Sequence, residues 1–113
     1  MYYLEEGARV RDTGSHYEQL SALEGGIAYV TGHGTYLKID TVDDRITRIY
    51  GYEGGLFHID NGATVELTNS VTVQYSQAYE GTIAYVTDRS RIIIHNSISI
   101  GYNKSYKRGL FVI

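Results

Sequence analysis

One short motif recurs along the chain at a nearly constant interval, and this repeat constrains the fold more than any other feature. EGGIAYV begins at Glu24, EGGLFHI at Glu53, EGTIAYV at Glu80 and RGLFVI at Arg108, so the intervals are 29, 27 and 28 residues. A fixed period of roughly 20 to 50 residues indicates a repeat protein, in which each unit packs mainly on its neighbours. The sequence therefore predicts a stack of similar coils.

Each period also holds two further short apolar segments. The second strand is predicted at 36–39, 64–67 and 91–94, and the third at 46–48, 71–73 and 98–100. Gly, Asn, Asp and Ser separate these segments and leave no room for a helix. Three short strands in about 28 residues predict an all-β fold, a right-handed parallel β-helix of roughly three to four rungs.

The whole chain, residues 1–113, is expected to form one domain or segment. Residues 1–23 are interpreted as part of a preceding rung, followed by rungs at 24–52, 53–79 and 80–107 and by the start of a further rung at 108–113. Both ends would then present open strand edges, which pair with other chains unless something covers them. We therefore expect either a longer chain or larger assembly, or head-to-tail self-association.

Charge is distributed unevenly along this predicted axis. Residues 1–88 hold all 13 acidic residues and a balance of −8, whereas the residues from Arg89 onward have a balance of +5. In a solenoid, position in the sequence is position along the axis, so this division predicts an axial dipole. The basic last rung, with Lys107 and Arg108, is expected to meet the acidic first rung of another copy.

Composition argues against several functional classes. Without Cys there is no disulfide framework or Cys-based metal site, and the four His occupy different repeat positions, so neither metal nor cofactor is predicted. The longest apolar runs are far shorter than the roughly 18 to 20 residues that span a bilayer, so no membrane insertion is expected. Nucleic acid is not an expected partner, since the only basic cluster is the last rung.

Alternation along the first strand predicts an inside and an outside. The small and large columns assigned to the interior are Ala28, Phe57, Ala84, Phe111 and Val30, Ile59, Val86, Ile113. The columns assigned to the exterior are Ile27, Leu56, Ile83, Leu110 and Tyr29, His58, Tyr85, Val112. The predicted assembly contacts are all of these exterior residues except Val112, together with Lys107 and Arg108. The alternatives are that the two faces are exchanged or that a flanking segment covers this stripe.

Other columns are aromatic, acidic or amide-bearing. Tyrosines 17, 50, 75 and 102 follow the third strand and tyrosines 52, 79 and 106 precede the next rung, which predicts ladders that brace a corner or a platform for sugars.

Glu24, Glu53 and Glu80 form an acidic column completed by Arg108, interpreted as solvated, with a cation site or a basic partner as the alternative. Asn69 and Asn96 are expected to stack as an amide ladder. Asn103 opens the one N-glycosylation sequon.

The repeat resembles a known family. The motif EGG-[IL]-[AF]-[YH]-[VI], with the turn at 67–70 and the segment QYSQAYEG at 74–81, resembles the GGA-I-Y repeats of pectin-lyase-like β-helices. It is most similar to the surface and adhesin repeats of bacterial polymorphic outer-membrane proteins and related protist proteins. The resemblance covers about residues 17–113, although Thr82 replaces the second Gly of one rung. It implies an extracellular or surface-displayed stalk, adhesin or fibre.

Many pectin-lyase-like proteins degrade polysaccharides, so a catalytic set is the main alternative. Gly32-His33-Gly34, Asp43-Asp44 and Arg45-Ile46 are similar to polygalacturonase elements, but their order along the chain differs. An inverting glycosidase needs two carboxyl groups about 6.5 to 9.5 Å apart across a groove, whereas Asp43 and Asp44 are neighbours in an irregular loop. We therefore predict a structural or adhesive segment and no enzyme. The alternatives are a carbohydrate-binding or polysaccharide-degrading β-helix and a repeat of a larger intracellular assembly.

Overall fold

A computed structural model describes residues 2–12, 17–18, 20–40, 45–68, 71–95, 98–101, 103–107 and 109–113, in which all regular elements are β-strands. They form a parallel β-solenoid of about three turns, with equivalent positions about 27 residues apart, which confirms the predicted fold class. Sheet 1 contains β1 (Tyr2–Leu4), β4 (Ala28–Thr31), β8 (Phe57–Asp60), β12 (Ala84–Val86) and β16 (Phe111–Val112). Sheet 2 contains β2 (Arg9–Asp12), β5 (Tyr36–Ile39), β9 (Thr64–Leu67) and β13 (Arg91–Ile94).

The other two sheets complete each rung. Sheet 3 contains β3 (Tyr17–Glu18), β6 (Arg45–Thr47), β10 (Val71–Gln74) and β14 (Ile98–Gly101). Sheet 4 contains β7 (Tyr50–Glu53), β11 (Gln77–Glu80) and β15 (Lys104–Lys107). A complete rung therefore has four strands rather than the three predicted. The sheet 4 strands were hidden in the sequence because their inward positions are small, namely Gly51, Ala78 and Ser105, and lack apolar alternation.

The first full rung is longer than those that follow. Ala28 pairs with Phe57, 29 positions on, whereas Phe57 pairs with Ala84, 27 positions on. Leu37 pairs with Val65, 28 positions on, so one extra residue lies in the turn between β4 and β5. The other lies between β5 and β6, where residues 41–44 of the predicted irregular loop are outside the described residues. The predicted Asn ladder at 69 and 96 also lies outside them.

The interior matches the predicted small and large columns. Ala28, Phe57 and Ala84 alternate in one column and are fully buried, and Val30, Ile59 and Val86 are buried beside them. At the end of the stack Phe111 is half-buried and Ile113 is 88% exposed, so Ile113 does not fill the interior as expected. Alternating ring and methyl volumes keep the narrow core filled at normal packing density.

The predicted exterior position of Ile27, Leu56 and Ile83 is wrong. All three are fully buried members of the core and cannot be assembly contacts. Each lies at the corner just before a strand, where the period-two alternation has not yet begun. The amides of Ile27 and Ala28 both donate to the Leu56 carbonyl, at 2.9 and 3.1 Å. The corner therefore directs two consecutive side chains inward.

The Glu-Gly-Gly motif forms this corner. Gly54 has a φ of +80°, and a Cβ there would lie 2.1 Å from the Phe57 carbonyl oxygen. At the second glycine, a Cβ on Gly26 would lie 2.6 Å from the Gly55 carbonyl oxygen of the next rung. The first glycine thus permits a left-handed turn and the second permits close contact between rungs. Thr82 occupies the second position in the third motif, where it is buried and donates to the Lys104 carbonyl at 2.5 Å.

Arg89 is predicted to be a strained residue. It has a φ of +63° in the turn at which Ser90 N donates to Thr87 O, and Gly62 occupies the equivalent place one rung earlier with a φ of +84°. A side chain in the left-handed region costs roughly 1 to 2 kcal/mol. Arg89→Gly should therefore raise the free energy of unfolding by about 0.5 to 1 kcal/mol in denaturant titrations. Arg91→Gly, in β13, is the control and should lower it.

Candidate functional site

A stack of four rings covers the outer face of sheet 1. Tyr3, Tyr29, His58 and Tyr85 occupy one position in successive rungs, with centroids 5.2, 4.7 and 5.1 Å apart and interplanar angles of 9°, 6° and 18°. Tyr3 is 64% exposed at the end of the stack, whereas His58 is only 5% exposed between two rings. The predicted contact residues Tyr29, His58 and Tyr85 do belong to the outer face, but they pack on one another.

The acidic column lies beside this ring stack. Glu24 forms a parallel bridge with Glu53, Glu53 is in register with Glu80, and Glu80 is in register with Lys107. The Lys107 Nζ lies 3.8 Å from Glu80 Oε1. The fourth member of the column is therefore Lys107, and the expectation of Arg108 is wrong. RGLFVI lacks one residue of the repeat, so aligning Arg108 with Glu80 shifted the register by one; Arg108 itself is outside the described residues.

His58 connects the two columns. Its Nδ1 lies 3.3 Å from the Glu53 carbonyl oxygen, and its Nε2 lies 3.2 Å from Asp60 Oδ2 and 3.6 Å from Glu24 Oε2. Side-chain donor atoms of Glu24, Glu53 and His58 all lie within 4.8 Å of one another. A buried imidazole thus faces carboxylates from two adjacent rungs. The repeat pattern did not predict this cluster. The pattern relates residues at equivalent repeat positions, whereas His58 and the two glutamates occupy different positions on either side of a corner.

Tyr29 and Asp60 are coupled at the edge of the same cluster. The Tyr29 hydroxyl donates to Asp60 Oδ2 at 2.9 Å. Burial raises the pKa of the Tyr29 phenol above its usual 10.0, and the hydrogen bond to Asp60 acts in the same direction because it stabilises the protonated phenol. Tyr29 therefore remains a neutral donor well into the alkaline range.

Tyr29 is expected to make the fold sensitive to alkaline pH. Above about pH 10 the unfolded chain loses the Tyr29 proton while the folded chain keeps it, so the free energy of unfolding falls as pH rises. Tyr29→Phe should show a shallower fall in denaturant titrations between about pH 9 and 11.5. Tyr52→Phe, which removes a phenol without an Asp60 contact, is the control. Equal slopes for wild type and Tyr29→Phe would contradict this coupling.

Sheet 4 presents an exposed tyrosine surface, which we call the tyrosine face. It consists of Tyr50, Tyr52, Tyr79 and Tyr106, with exposures of 38%, 51%, 37% and 60%. Tyr52 and Tyr79 stack at 4.7 Å with an interplanar angle of 15°, and Lys104 Nζ lies 4.4 Å from the Tyr106 ring centroid. The tyrosine face is therefore an exposed aromatic surface on the side of the solenoid.

Tyr17 and Tyr50 do not belong to the other predicted tyrosine column, since Tyr17 is in register with Ile46. Tyr50 is in register with Gln77 rather than with Tyr75. Tyr75 lies in the turn between β10 and β11, with a φ of +57°. Arg48, whose φ is +56°, occupies the equivalent place in the preceding rung. Tyr102 is outside the described residues. Tyr50 is excluded because its spacing to Tyr75 is 25 residues, two short of the 27 residues that separate Tyr50 from Gln77.

The sequon residue Asn103 is held by the preceding rung. Its Oδ1 accepts from Ser76 N at 2.9 Å, and its Nδ2 donates to the Val73 carbonyl at 2.8 Å. Because Nδ2 is the atom to which a glycan is attached, glycosylation would have to precede the folding of this rung. Glycosylation at Asn103 stays a prediction.

The end rungs leave part of the core uncovered. Apolar side chains that are fully buried in the middle rungs have half-buried equivalents at the two ends, namely Tyr2, Ala8, Val10 and Leu20 at one end and Ile92, Ile94, Leu110 and Phe111 at the other. The sheet edges are β1, β2, β3 and β7 at one end and β13 to β16 at the other. The predicted contact residue Leu110 therefore belongs to an end surface.

The residues of the catalytic alternative are not brought together among the described residues. Asp43 and Asp44 lie outside them, and His33 is exposed on the turn between β4 and β5. In the described part of the chain, no helix has the length and apolar character needed to cross a bilayer. No protein-family model, curated protein or solved structure matches the chain.

Proposed function

We propose that the chain is a structural, adhesive segment of a pectin-lyase-like β-helix that acts outside the cell as a stalk, filament or scaffold. The observation that supports this proposal most directly is the half-buried apolar core of the two end rungs. We infer that a further rung covers each of them, supplied by a second copy stacked head to tail or by a longer chain or larger assembly. The function then depends on contact surfaces rather than on a catalytic site.

Apolar burial and strand pairing both favour such stacking. A further rung would remove the half-buried apolar groups of an end from water, at roughly 25 cal/mol per Å². It would also supply partners for strand edges, which otherwise remain open to uncontrolled pairing. A repeat protein gains its stability from interfaces between neighbouring units, so an interface between copies uses the same interactions as an interface between rungs.

Charge favours the head-to-tail direction. The last rung carries exposed Arg91, Lys104 and Lys107, whereas the exposed charges of the first rung, Glu5 and Glu6 with Arg9 and Arg11, balance one another. Two last rungs that faced each other would therefore repel, and like charges across an interface disfavour the wrong orientation. This repulsion weakens with added salt, since the Debye length is about 10 Å at 0.1 M ionic strength.

A charge placed in the open end of the core should block stacking. Ile92 packs against the core from the last rung, while Ile93 is the next residue of the same strand and faces outward. Ile92→Lys should raise the dissociation constant at least about tenfold, because a buried ammonium loses hydration, whereas the control Ile93→Lys should change it little. Sedimentation velocity over a range of protein and salt concentrations measures both. A wild-type chain that stays monomeric at low ionic strength would contradict head-to-tail stacking of copies.

Carbohydrate binding is the second candidate function, and the tyrosine face favours it. Exposed tyrosine rings offer apolar faces with a polar edge, which suits the alternating character of a sugar ring. A segment of a larger intracellular assembly would use the same end rungs and has no feature of its own to favour it.

The carbohydrate alternative predicts a loss of binding at two stacked rings. Tyr52→Ala and Tyr79→Ala should each weaken binding of a neutral oligosaccharide about 2- to 10-fold, which corresponds to roughly 0.5 to 1.5 kcal/mol per ring. Gln77→Ala, on the same exposed face of β11, is the matched control. A panel of oligosaccharides tested by isothermal titration calorimetry provides the measurement. Absence of binding by the wild type would remove this candidate.

A further inference from the structure

The surroundings of His58 cannot be satisfied by a neutral imidazole alone. Nδ1 faces one oxygen acceptor, the Glu53 carbonyl, and Nε2 faces two more, Asp60 Oδ2 and Glu24 Oε2. A neutral ring has one N–H and one lone pair, so either tautomer points a lone pair at an oxygen acceptor. A cation at Nε2, either a metal ion or a second proton, removes the conflict.

The geometry points to a metal ion: we propose that Glu24, Glu53 and His58 bind one divalent transition-metal ion of the Zn²⁺ class. One imidazole nitrogen and two carboxylate oxygens are a ligand set that suits Zn²⁺. Metal-binding histidines usually donate their other ring N–H to a backbone carbonyl or carboxylate, and Nδ1 is placed to donate to the Glu53 carbonyl at 3.3 Å. The free Nε2 lone pair then faces the carboxylates of Glu24 and Asp60, at 3.6 and 3.2 Å.

The distances are close to those of a bound site. With metal–ligand bonds of about 2.0 to 2.2 Å, two ligand atoms of a tetrahedral site lie about 3.3 to 3.6 Å apart. His58 Nε2 and Glu24 Oε2 are 3.6 Å apart, and the donor atoms of Glu24, Glu53 and His58 fall within 4.8 Å of one another. Rotation of the carboxylates closes the remaining gap. Asp60, held by the Tyr29 hydroxyl, lies next to the site.

The ring stack and the corner hold these groups in place. His58 is 5% exposed and stacked between Tyr29 and Tyr85, so its ring plane is fixed. Glu24 and Glu53 are held one rung apart by their parallel bridge. The ion would join two rungs and offset the repulsion between two stacked carboxylates. In the next rung that role belongs to Lys107, which pairs with Glu80.

Metal binding is tested with Zn²⁺ and with Co²⁺ as a spectroscopic probe, on the 113-residue chain first treated with a chelator. Isothermal titration calorimetry should show one Zn²⁺ per chain, and Co²⁺ should give the visible absorption of a low-symmetry site. Free Zn²⁺ at about 100 times the dissociation constant should raise the melting temperature by about 10 °C.

His58→Tyr is the informative variant, because it continues the tyrosine stack while removing the imidazole. It should keep the fold and lose at least about 90% of the Zn²⁺ affinity, and Glu24→Gln with Glu53→Gln should do the same if the tyrosine variant does not fold. Glu80→Gln, in the same column but outside the cluster, is the control and should bind as the wild type does. Wild-type binding that His58→Tyr or the double Gln variant leaves unchanged would place the ion elsewhere, and no binding at pH 7.5 would show that the cluster holds no metal; either result would overturn the proposal.

Discussion

Hydrogen bonding between equivalent strands of successive rungs is the interaction on which the rest of this structure depends. It holds the period close to 27 residues and places each side chain directly above its equivalent. A one-residue change in register would turn every outward side chain inward. Residues at equivalent positions of the repeat must therefore be able to pack on one another at a spacing of about 4.8 Å.

Stacking at this spacing favours some repeated residues and penalises others. Rings gain from it, as in the ladder that runs from Tyr3 to Tyr85. Two carboxylates at the same spacing repel by about 1 kcal/mol in water and by more where solvent is partly excluded. The acidic column is accordingly relieved at one end by Lys107 and flanked at the other by His58. Lys107 and His58 thus lie at the places where stacked carboxylates would otherwise repel each other most.

The sequence predicted the fold and the interior columns because both follow directly from the period and from alternation within a strand. It did not predict the inward position of Ile27, since a corner with two consecutive inward side chains breaks alternation. The fourth strand was missed because Gly51 and Ala78 give no apolar signal. The cluster at His58 was missed because Glu24 and Glu53 reach it around a corner, and neither spacing nor alternation within one strand reports that proximity.

Each complete rung contributes one strand to every sheet, and this has a geometric consequence. The ring stack on sheet 1, the acidic column at the corner before it and the tyrosine face on sheet 4 all lengthen by about 4.8 Å for each rung in register. None of the three can be extended without the other two, so the number of rungs sets their lengths together. What differs from one level to the next is only the residue that each column holds there.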